Sequence, residues 1–499
     1  MPKTRYLKHL DTLLFAIAGY FAVYFFTKYS GVGISPDSIM YASAAESIYK
    51  HGNLITFNGS PLTFFPVFYP AVLSLSFLFG VDAIKAGPVI NGLLFGGVLL
   101  LTGYCISRFK KPSVLYKWLV LAAILLSPAL LEIYSYLWSE TLFIFLTILF
   151  VPFFKRYLDS PRIKHLLYVA VVAGLCCITR YAGITVITTG CLMILANAKP
   201  ELKKRFVHIT LFGFAGLLPL IINLLVNYFS SGYSTGTRKP SVTTFGENLH
   251  YFGVTICGWL GLTEAAYSYG AMLSALILIA LTARFIWQVK QKQINRYETI
   301  FLSFAIVYAT FILVIASVSR FEQLNSRLLS PMYVPLLLAC TDWVPGAIVA
   351  FKNNSRKWMA AVAVIIMAGF LYNLTLIDLK RYDDEFEYGV PGYSDDDWNT
   401  SPFISFQKKN KHIYKPGIPV YSDADEAVYF FTGGHAKLVP QKFFTADVAK
   451  FSQQKKFYLV WFNAMANAEL ISIADIEKQF RVKKLYGFDD GAIYLMEKP

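Results

Sequence analysis

Three carboxylates in this sequence have surroundings that suit proton transfer. Asp37 lies in SPDSIMYASAAESIYKHGNL, and Glu132 and Glu140 flank the short stretch SYLW. A carboxylate can accept the proton of a hydroxyl group that attacks a substrate. Each also has a simpler explanation. Asp37 could stabilise the first turn of a helix, and the two glutamates could be solvated at helix ends.

Three arginines supply the opposite charge. Arg180 lies in ITRYAG, and Arg320 and Arg327 lie in SRFEQLNSRLLSP. The planar guanidinium group can donate two parallel hydrogen bonds to a phosphate, although these arginines could instead reach lipid headgroups. Transfer from a lipid phosphate needs a base for the acceptor hydroxyl and cations for the departing phosphate. The carboxylates and arginines together could supply both.

The composition indicates an integral membrane protein. Of 499 residues, 56% are hydrophobic and 15% are charged, and the mean hydropathy is +0.48. Soluble domains carry roughly 25% charged residues. Apolar runs long enough to cross a bilayer recur along the chain and predict about eleven transmembrane helices. The predicted spans are 11–29, 86–107, 114–134, 139–155, 165–179, 182–198, 207–229, 270–289, 298–318, 328–346 and 358–377.

Every second loop between the predicted spans is basic, which places the N-terminus in the cytoplasm by the positive-inside rule. The basic clusters lie at 108–117, 155–164, 199–205, 290–296 and 352–357. With an odd number of spans, the C-terminal region is extracytoplasmic, on the same side as the candidate carboxylates and arginines. Because the net charge of +15 is spread over these loops, it does not predict nucleic-acid binding.

The first outer loop, residues 30–85, predicts an interfacial helix followed by a second helix that is interfacial or re-entrant. Ser35 can cap the first of them, Pro36 suits its first position, and Gly52 can end it. LITFNGS then predicts a turn or short hairpin. The apolar run from Tyr69 to Gly80 follows three prolines and is too short to span comfortably.

The second long outer loop, residues 230–269, carries Arg238, Lys239 and His250 near aromatic residues. Such a loop could close over a sugar or an acceptor, or it could be a mobile linker.

The C-terminal region, residues 378–499, predicts a small extracytoplasmic α/β domain, separate from the transmembrane domain of residues 1–377. Its β-like runs are IPVYS, KFYLVWF, VKKLYG and GAIYLM, with the helical stretch NAELISIADIEKQF among them. The segment SDADEAVYFFTGGHAK holds acidic residues and His435, but we interpret it as a loop and a solvated helix start and assign no catalysis to it.

These motifs resemble those of the glycosyltransferase C superfamily of polytopic enzymes that use polyprenyl-phosphate sugars. The similarity is to the branch with protein O-mannosyltransferases and aminoarabinose transferases. The matching motifs are PDSIMYASAAESIYKHGNL, FFPVFYPAVLSL, WSETLF, TRYAG and SRLLSPMYVPLLL, which extend over most of residues 30–345 in this order.

The resemblance implies a polytopic fold of the same type and an inverting transfer of a single sugar from a polyprenyl phosphate to an extracytoplasmic acceptor. Asp37 would act as the general base or orient the acceptor, and Glu140 would assist. Arg180, Arg320 and Arg327 would hold the lipid phosphate. The further substrate-binding candidates are Tyr41, Glu132, Tyr181 and His250.

The resemblance also suggests a divalent metal, Mg or Mn, held by Asp37 and Glu140. Many relatives carry two adjacent acids in the first loop, whereas Asp37 is followed by Ser38 here. That departure puts metal dependence in doubt.

Two other functions stay open. A transporter or lipid flippase would often show internal repeats and charges at the midplane of broken helices, and neither is evident in the sequence. An oligosaccharide ligase or polymerase acting on lipid pyrophosphates would share the arginines but place its chemistry in a late loop. The expected location is a bacterial plasma membrane, since no retention signal ends the chain.

Overall fold

The protein is described by a computed structural model over residues 10–320, 322–463, 465 and 467–499. It is mostly helical, as the apolar runs require: a chain in lipid must satisfy its backbone polar groups within each segment. The helices are α1 (Leu10–Thr27), α2 (Pro36–His51), α3 (Phe68–Ser74), α4 (Ala83–Ile106), α5 (Val114–Leu125), α6 (Pro128–Ser135), α7 (Glu140–Asp159), α8 (Ile163–Thr179), α9 (Ile184–Ala196), α10 (Leu202–Ser231), α11 (Phe245–Trp259), α12 (Gly270–Lys290), α13 (Tyr297–Val318), α14 (Ser326–Leu329), α15 (Tyr333–Thr341), α16 (Val344–Ala350), α17 (Asn353–Tyr388), α18 (Asp396–Asn399), α19 (Pro402–Lys409), α20 (Asp425–Thr432), α21 (Thr445–Ser452) and α22 (Ile473–Glu477).

Within these described ranges, short 3₁₀ segments and five strands complete the elements. The 3₁₀ segments are Leu75–Phe79, Tyr181–Gly183, Glu264–Tyr269 and Ser330–Met332. The strands are β1 (Val420–Ser422), β2 (Lys437–Leu438), β3 (Lys456–Phe462), β4 (Arg481–Gly487) and β5 (Gly491–Glu497).

The chain divides into two compact units. The first, here called the membrane unit, contains the described residues from Leu10 to Lys28, then Thr63–Val72 and Ala86–Asp384. The second, here called the α/β unit, contains Tyr29–Leu62, Leu73–Lys85 and Glu385–Pro499. The α/β unit therefore combines most of the predicted first outer loop with the C-terminal region.

Within the described residues, eight helices are long and apolar enough to cross a membrane. The bent pair α5 and α6, which meet at 49°, makes a ninth if it counts as one span. The segments Ile163–Thr179 and Tyr181–Ala196 are apolar but shorter. The predicted count of eleven would need the bent pair and both short helices to cross, and it stays a prediction.

The hydrogen bonds of the α/β unit constrain the parity of this count. The Ile34 carbonyl accepts the N–H of Tyr393 at 2.8 Å, and the Ser30 hydroxyl accepts the N–H of Val390 at 2.9 Å. The chain just after α1 thus meets the chain just after α17. Both must lie on the same side of the membrane, so the number of crossings from α1 through α17 is odd. Nine or eleven spans satisfy this condition, and eight do not.

Helices α7 and α13 form the centre of the membrane unit. Most of their residues are buried, whereas α10, α12 and α17 expose broad apolar faces suited to lipid. Tyr308 of α13 donates a hydrogen bond to the Leu328 carbonyl at 2.8 Å, which attaches α14 to this centre. The buried helices thereby give the segments around α14 a rigid support.

Helix α2 opens the α/β unit and has the predicted ends. The Ser35 hydroxyl accepts the N–H of Ser38 in a capping box, and Gly52 ends the helix with a φ of 65°. Phe57 stacks on Tyr429 of α20 with ring centroids 5.1 Å apart. The first loop is therefore packed against C-terminal residues of the same unit.

The sheet of the α/β unit has the order β2-β1-β3-β5-β4. Strand β1 is parallel to β2 and β3, while β5 is antiparallel to β3 and β4. Its core packs Phe457 and Leu459 of β3 against Ile476, Phe480 and Met496. All four predicted strand regions are present.

Several local expectations were wrong. Residues 245–259 of the predicted second outer loop form helix α11, with Thr244 as N-cap. The last long helix continues to Tyr388, past the predicted boundary at 377. The C-terminal helical stretch shortens to Ile473–Glu477. Asp423 and Asp425, expected in a solvated segment, are only 2% and 6% exposed. The reason is that this segment joins β1 to α20 and packs into the core.

Candidate active site

Glu140 begins helix α7 and is fully buried. The turn before it is fixed to α4, because the Asn91 amide donates to the carbonyls of Tyr134 and Tyr136 at 2.9 and 2.7 Å. The Thr141 hydroxyl donates to the Trp138 carbonyl at 2.8 Å. A carboxylate in the first turn of a helix is favoured by the helix dipole. The turn thus places one buried negative charge at the N-terminal end of α7.

Arg180 faces that carboxylate from the end of α8. Its Nη1 atom lies 2.6 Å from Oε2 of Glu140 and 3.0 Å from the Ser139 hydroxyl. The backbone then turns through Tyr181–Gly183, and Gly183 is required there. A Cβ on Gly183 would lie 2.3 Å from the carbonyl carbon of Cys176. The glycine of the TRYAG motif thus allows the chain to turn tightly beside Arg180.

Arg327 faces the other oxygen of Glu140. Its Nε atom donates to Oε1 at 2.7 Å, and its guanidinium group lies 4.2 Å from the centroid of the Trp138 ring. The Asn325 side chain caps α14 by accepting the N–H of Leu328 at 3.1 Å. The short helix is therefore held at both ends, which fixes the direction of the arginine.

The three side chains form a buried ionic cluster with one carboxylate and two guanidinium groups. The side chains of Arg180 and Arg327 are 19% and 17% exposed, and that of Glu140 is fully buried. A buried charge needs both a counter-charge and hydrogen bonds to offset its desolvation, and Glu140 has both. These three side chains alone sum to one positive charge, and the Glu132 carboxyl group of α6 also interacts electrostatically with Arg327.

Beside this cluster the membrane unit contains a cavity of about 650 Å³. Arg180 and Tyr181 belong to its wall, as do Arg238 and Lys239 and the segment Phe64–Pro66. The rest of the wall is largely apolar and includes Leu224, Phe311, Ile312, Ile315, Val318 and Leu328. The cavity therefore offers an apolar space with three cationic side chains, which suits a ligand with a long apolar part and an anionic group.

A backbone clip holds Arg238 and Lys239 at this cavity. The Lys239 carbonyl accepts the N–H of Arg320 at 2.8 Å, and Pro240 forms an antiparallel bridge with Ser319. The Ser241 hydroxyl also donates to the Ala316 carbonyl at 2.6 Å. These bonds join the segment after α10 to the end of α13.

The other predicted site residues of the membrane unit lie around this centre. Tyr181 is part of the cavity wall. Arg320 takes part in the clip through its backbone, and Glu132 is partly buried on α6. His250 is on α11 and lies outside the set of described residues that form the cavity wall. The functional roles assigned to these residues stay predictions.

Asp37 and Tyr41 belong to the α/β unit. Asp37 is in the first turn of α2 and is partly exposed, and Tyr41, one turn further, is fully buried. The predicted roles of Asp37 as general base and of Tyr41 in substrate binding stay predictions.

The suggested divalent metal fits these residues poorly. Both oxygens of Glu140 contact guanidinium groups, so the carboxylate could reach a cation only after both ion pairs opened. Among the described residues, no group of three His, Cys, Asp or Glu side chains is arranged to hold a metal ion. Metal dependence stays a prediction, and no step below is routed through a metal.

Sequence reasoning missed part of the cavity. The sequence places Arg238 and Lys239 in an outer loop without assigning them to the site. It indicates only a proline-rich helix start at Phe64–Pro66, and the candidates above do not include Asn223 and Asn227 of α10. Two asparagines four residues apart in an apolar helix were an available signal, because polar groups in membrane helices are rare and usually functional.

The comparisons with known proteins show similarity of structure alone. No family model and no curated protein matches the sequence. The crystal structure of ArnT from Cupriavidus metallidurans matches with a TM-score of 0.57 and 13% identity over 97% of each chain, in the apo state and bound to undecaprenyl phosphate.

Two further structures match most of this chain. The oligosaccharyltransferase AglB from Archaeoglobus fulgidus, in complex with an inhibitory peptide and a dolichol-phosphate, has a TM-score of 0.54 and 12% identity over 99% of this chain and 74% of its own. The arabinofuranosyltransferase AftD from Mycobacteria has a TM-score of 0.54 and 14% identity over 98% of this chain, which spans only 40% of AftD.

All three are glycosyltransferases of the GT-C superfamily. The chain therefore has the polytopic membrane fold of that superfamily, with a small C-terminal sheet region. The fold class predicted from the sequence and the resemblance that suggested it are both confirmed at the level of the fold.

Proposed function

We propose that this protein is a membrane glycosyltransferase that moves a single sugar from a polyprenyl phosphate to an acceptor hydroxyl, with inversion at the sugar carbon. The observation that carries the proposal is Arg180, which belongs both to the ionic cluster with Glu140 and to the wall of the 650 Å³ cavity. An apolar cavity with cations in its wall matches a ligand that joins an isoprenoid chain to a phosphate.

The structural neighbours support this choice of donor. ArnT has been crystallised with undecaprenyl phosphate, and AglB was solved with a dolichol-phosphate. Both ligands combine a polyprenyl chain with a phosphate, the two features that the cavity of this chain could accommodate.

The reaction would be a single displacement. A carboxylate, for which Asp37 is our candidate, takes the proton of the acceptor hydroxyl while its oxygen bonds to the anomeric carbon. The bond from that carbon to the phosphate oxygen breaks, and the lipid phosphate leaves with the electron pair. Arg180, Arg238 and Lys239 would stabilise the negative charge that develops on the phosphate.

We place the site on the extracytoplasmic side of a bacterial plasma membrane, with the N-terminus in the cytoplasm. The support is the distribution of basic residues, which cluster in the loops at the opposite helix ends. The acceptor would then be a protein, lipid or glycan outside the cytoplasm.

The test is a transfer assay with the purified full-length chain in lipid nanodiscs. The donors are polyprenyl phosphates that each carry one radiolabelled sugar, and the acceptor is an envelope extract from cells that lack the gene. We expect the label to move to the extract with one of the donors and free polyprenyl phosphate to appear in equal amount. Arg180→Ala should abolish this transfer.

Two results would contradict the proposal. In proteoliposomes, movement of the intact labelled lipid from one leaflet to the other without cleavage would indicate a flippase. Transfer from lipid pyrophosphate donors alone would indicate an oligosaccharide ligase or polymerase.

A further inference from the structure

Two buried asparagines interrupt the apolar sequence of α10. Asn223 and Asn227 are four residues apart, on successive turns, and are 6% and 2% exposed. A buried amide in a membrane helix is unfavourable unless its donors and acceptors are all paired. Their partners therefore indicate what these residues do.

The two amides form a relay between α10 and three other segments. Asn223 accepts the N–H of Val67 at 3.1 Å and donates to the Asn227 carbonyl oxygen at 3.2 Å. Asn227 donates to the Tyr181 hydroxyl at 3.3 Å and to the Ser234 carbonyl at 3.0 Å. Both amides are thus used as donors and as acceptors.

The chain of hydrogen bonds also reaches Thr63, at the other end of the segment that contains Val67. The Tyr181 hydroxyl donates to the Thr63 carbonyl at 2.8 Å. Thr63 and Val67 are the residues directly before and after Phe64–Pro66, which belongs to the cavity wall. Asn223, Asn227 and Tyr181, here called the amide clamp, therefore fix both ends of this part of the wall.

The same clamp reaches the residues that carry the cations. Tyr181 follows Arg180 directly, and Ser234 precedes the segment with Arg238 and Lys239 by four residues. The clamp thus connects three irregular segments of the cavity wall to one helix. A wall made of loops loses conformational freedom when it binds a ligand unless it is already fixed.

We infer that Asn223 and Asn227 are positioning residues that preorganise the cavity for its lipid phosphate. This inference rests on the proposed function of the cavity. The two asparagines lie outside the described residues that form the cavity wall. They act through the backbone of Thr63–Val67 and through Tyr181.

Three substitutions test the clamp in the full-length protein. Asn223→Leu and Asn227→Leu keep the branched shape of the side chain but remove its hydrogen bonds. Tyr181→Phe removes one hydroxyl and keeps the ring. The probe is undecaprenyl phosphate, compared with undecaprenol, which lacks the phosphate. Loss of one or two hydrogen bonds should weaken phosphate-lipid binding by roughly five- to tenfold in each variant.

A matched control lies on the same helix. The Tyr157 hydroxyl is hydrogen-bonded to Nδ1 of His208 of α10 at 2.7 Å, away from the cavity wall. Tyr157→Phe therefore also removes one buried tyrosine hydrogen bond to α10, and it should leave the lipid affinity unchanged. If a leucine variant fails to fold, hydrogen–deuterium exchange of the ligand-free Tyr181→Phe and Tyr157→Phe proteins still decides the question. Tyr181 is itself part of the cavity wall, and loss of a direct ligand contact would leave the exchange of the Thr63–Val72 peptide unchanged, whereas loss of the clamp would make it faster.

Two further measurements separate positioning from general destabilisation. Hydrogen–deuterium exchange of the peptide from Thr63 to Val72 should become faster in Asn223→Leu, because the Val67 N–H loses its acceptor, but not in Tyr157→Phe. Asn223→Gln keeps an amide acceptor and donor without adding a charge near the phosphate, and it should restore part of the slow exchange and of the affinity.

The outcomes distinguish this inference from the proposed function. A wild-type protein that binds undecaprenol as well as undecaprenyl phosphate would overturn the proposed function. If the wild type prefers undecaprenyl phosphate and the folded clamp variants bind it with the same affinity as the wild type, only the inference about the amide clamp is overturned. An equal loss of affinity for undecaprenyl phosphate in Tyr181→Phe and Tyr157→Phe would also overturn the inference about the amide clamp.

Discussion

The Nε atom of Arg327 donates a hydrogen bond to Oε1 of Glu140 over 2.7 Å, although 187 residues separate them in the chain. The other oxygen of Glu140 faces Arg180 at 2.6 Å. One carboxylate thus aligns two arginines from two different helix ends. This suggests that Glu140 contributes to the site chiefly by orienting cations.

Removal of the Glu140 carboxylate should therefore destabilise the protein. Glu140→Ala removes the carboxylate that both partly buried guanidinium groups contact, and the loss of one partner of a buried ion pair typically costs about 3–5 kcal/mol in the free energy of unfolding. The measurement is thermal unfolding of the purified protein. Glu201→Gln is the control, because Glu201 and Lys204 form an exposed pair whose charged atoms are 4.0 Å apart. This substitution should change the free energy of unfolding little. Equal effects of both substitutions would contradict the role given to Glu140.

Arg238 and Lys239 should contribute to binding of the anionic lipid. We expect Arg238→Ala and Lys239→Ala each to weaken undecaprenyl phosphate binding by roughly five- to tenfold, since each removes a charge-assisted contact. The affinity should also fall as salt is raised, because these side chains reach solvent-accessible space. Lys203→Ala, an exposed lysine in the first turn of α10, is the control. An unchanged affinity in both variants would remove these residues from the site.

The tight turn beside Arg180 gives a prediction about stability. Gly183→Ala forces a Cβ to within 2.3 Å of the Cys176 backbone, so α8 and the Tyr181–Gly183 turn must separate. We expect a lower thermal midpoint and weaker binding of the lipid phosphate.

Gly213→Ala is the matched control for that substitution. A Cβ on Gly213, within α10, would meet nothing within 4 Å, and alanine is favoured over glycine in a helix by about 1 kcal/mol. It should keep or raise the thermal midpoint. A loss of stability in Gly213→Ala as large as that in Gly183→Ala would contradict the explanation by close contact.

Buried Asp423 should make the α/β unit sensitive to pH. Burial raises the pKa of Asp423 from 3.8 to about 7, although its carboxylate accepts the N–H of Phe462 at 3.0 Å. Between about pH 4 and pH 7 the carboxyl group of Asp423 is therefore protonated in the folded protein and ionised in the unfolded chain. The free energy of unfolding should fall as the pH rises through this window, by at most about 1.4 kcal/mol per pH unit for one proton.

The measurement is thermal unfolding of the full-length protein at several pH values between 4 and 8. Asp423→Asn keeps an acceptor for the Phe462 N–H but cannot titrate, so its midpoint should depend less on pH. Burial also raises the pKa of Asp425, and the variant should therefore keep part of the dependence. An equal or steeper fall of the midpoint with pH in the variant would contradict the assignment to Asp423.

Local sequence patterns predicted the elements well where short-range physics decides them. The apolar runs became helices, and Ser35 and Gly52 ended α2 as their capping preferences indicate. The short, nearly continuous apolar run KFYLVWF became β3. In each case the signal lies within a few neighbouring residues.

The arrangement of the site could not be read from such patterns. The pairing of Glu140 with Arg180 and Arg327 depends on how α7, α8 and α14 pack. The positions of these three residues along the chain do not predict the pairing. The same holds for Phe64–Pro66 and Arg238, which come from distant segments and meet at one cavity. The packing of Phe57 on Tyr429 in one unit was also not evident from composition.

The predicted role of Asp37 can be separated from its effect on helix stability. As a general base, Asp37 would act in the chemical step, so Asp37→Asn should lower the transfer rate by about 10²- to 10⁴-fold. Binding of undecaprenyl phosphate should stay the same, because asparagine removes none of the cations. If Asp37 only complements the helix dipole, the substitution should cost about 0.3–1 kcal/mol of stability and little activity.

Ser35→Ala is the control for this last prediction, because it removes the N-cap of the same helix and keeps Asp37. The lost cap should cost about 1 kcal/mol, at least as much stability as Asp37→Asn, but should leave most of the transfer rate. The assay is single-turnover transfer with the labelled donor, alongside thermal unfolding of each variant. Equal losses of rate in the two variants would indicate that α2 matters as a folded element and that Asp37 is not the base.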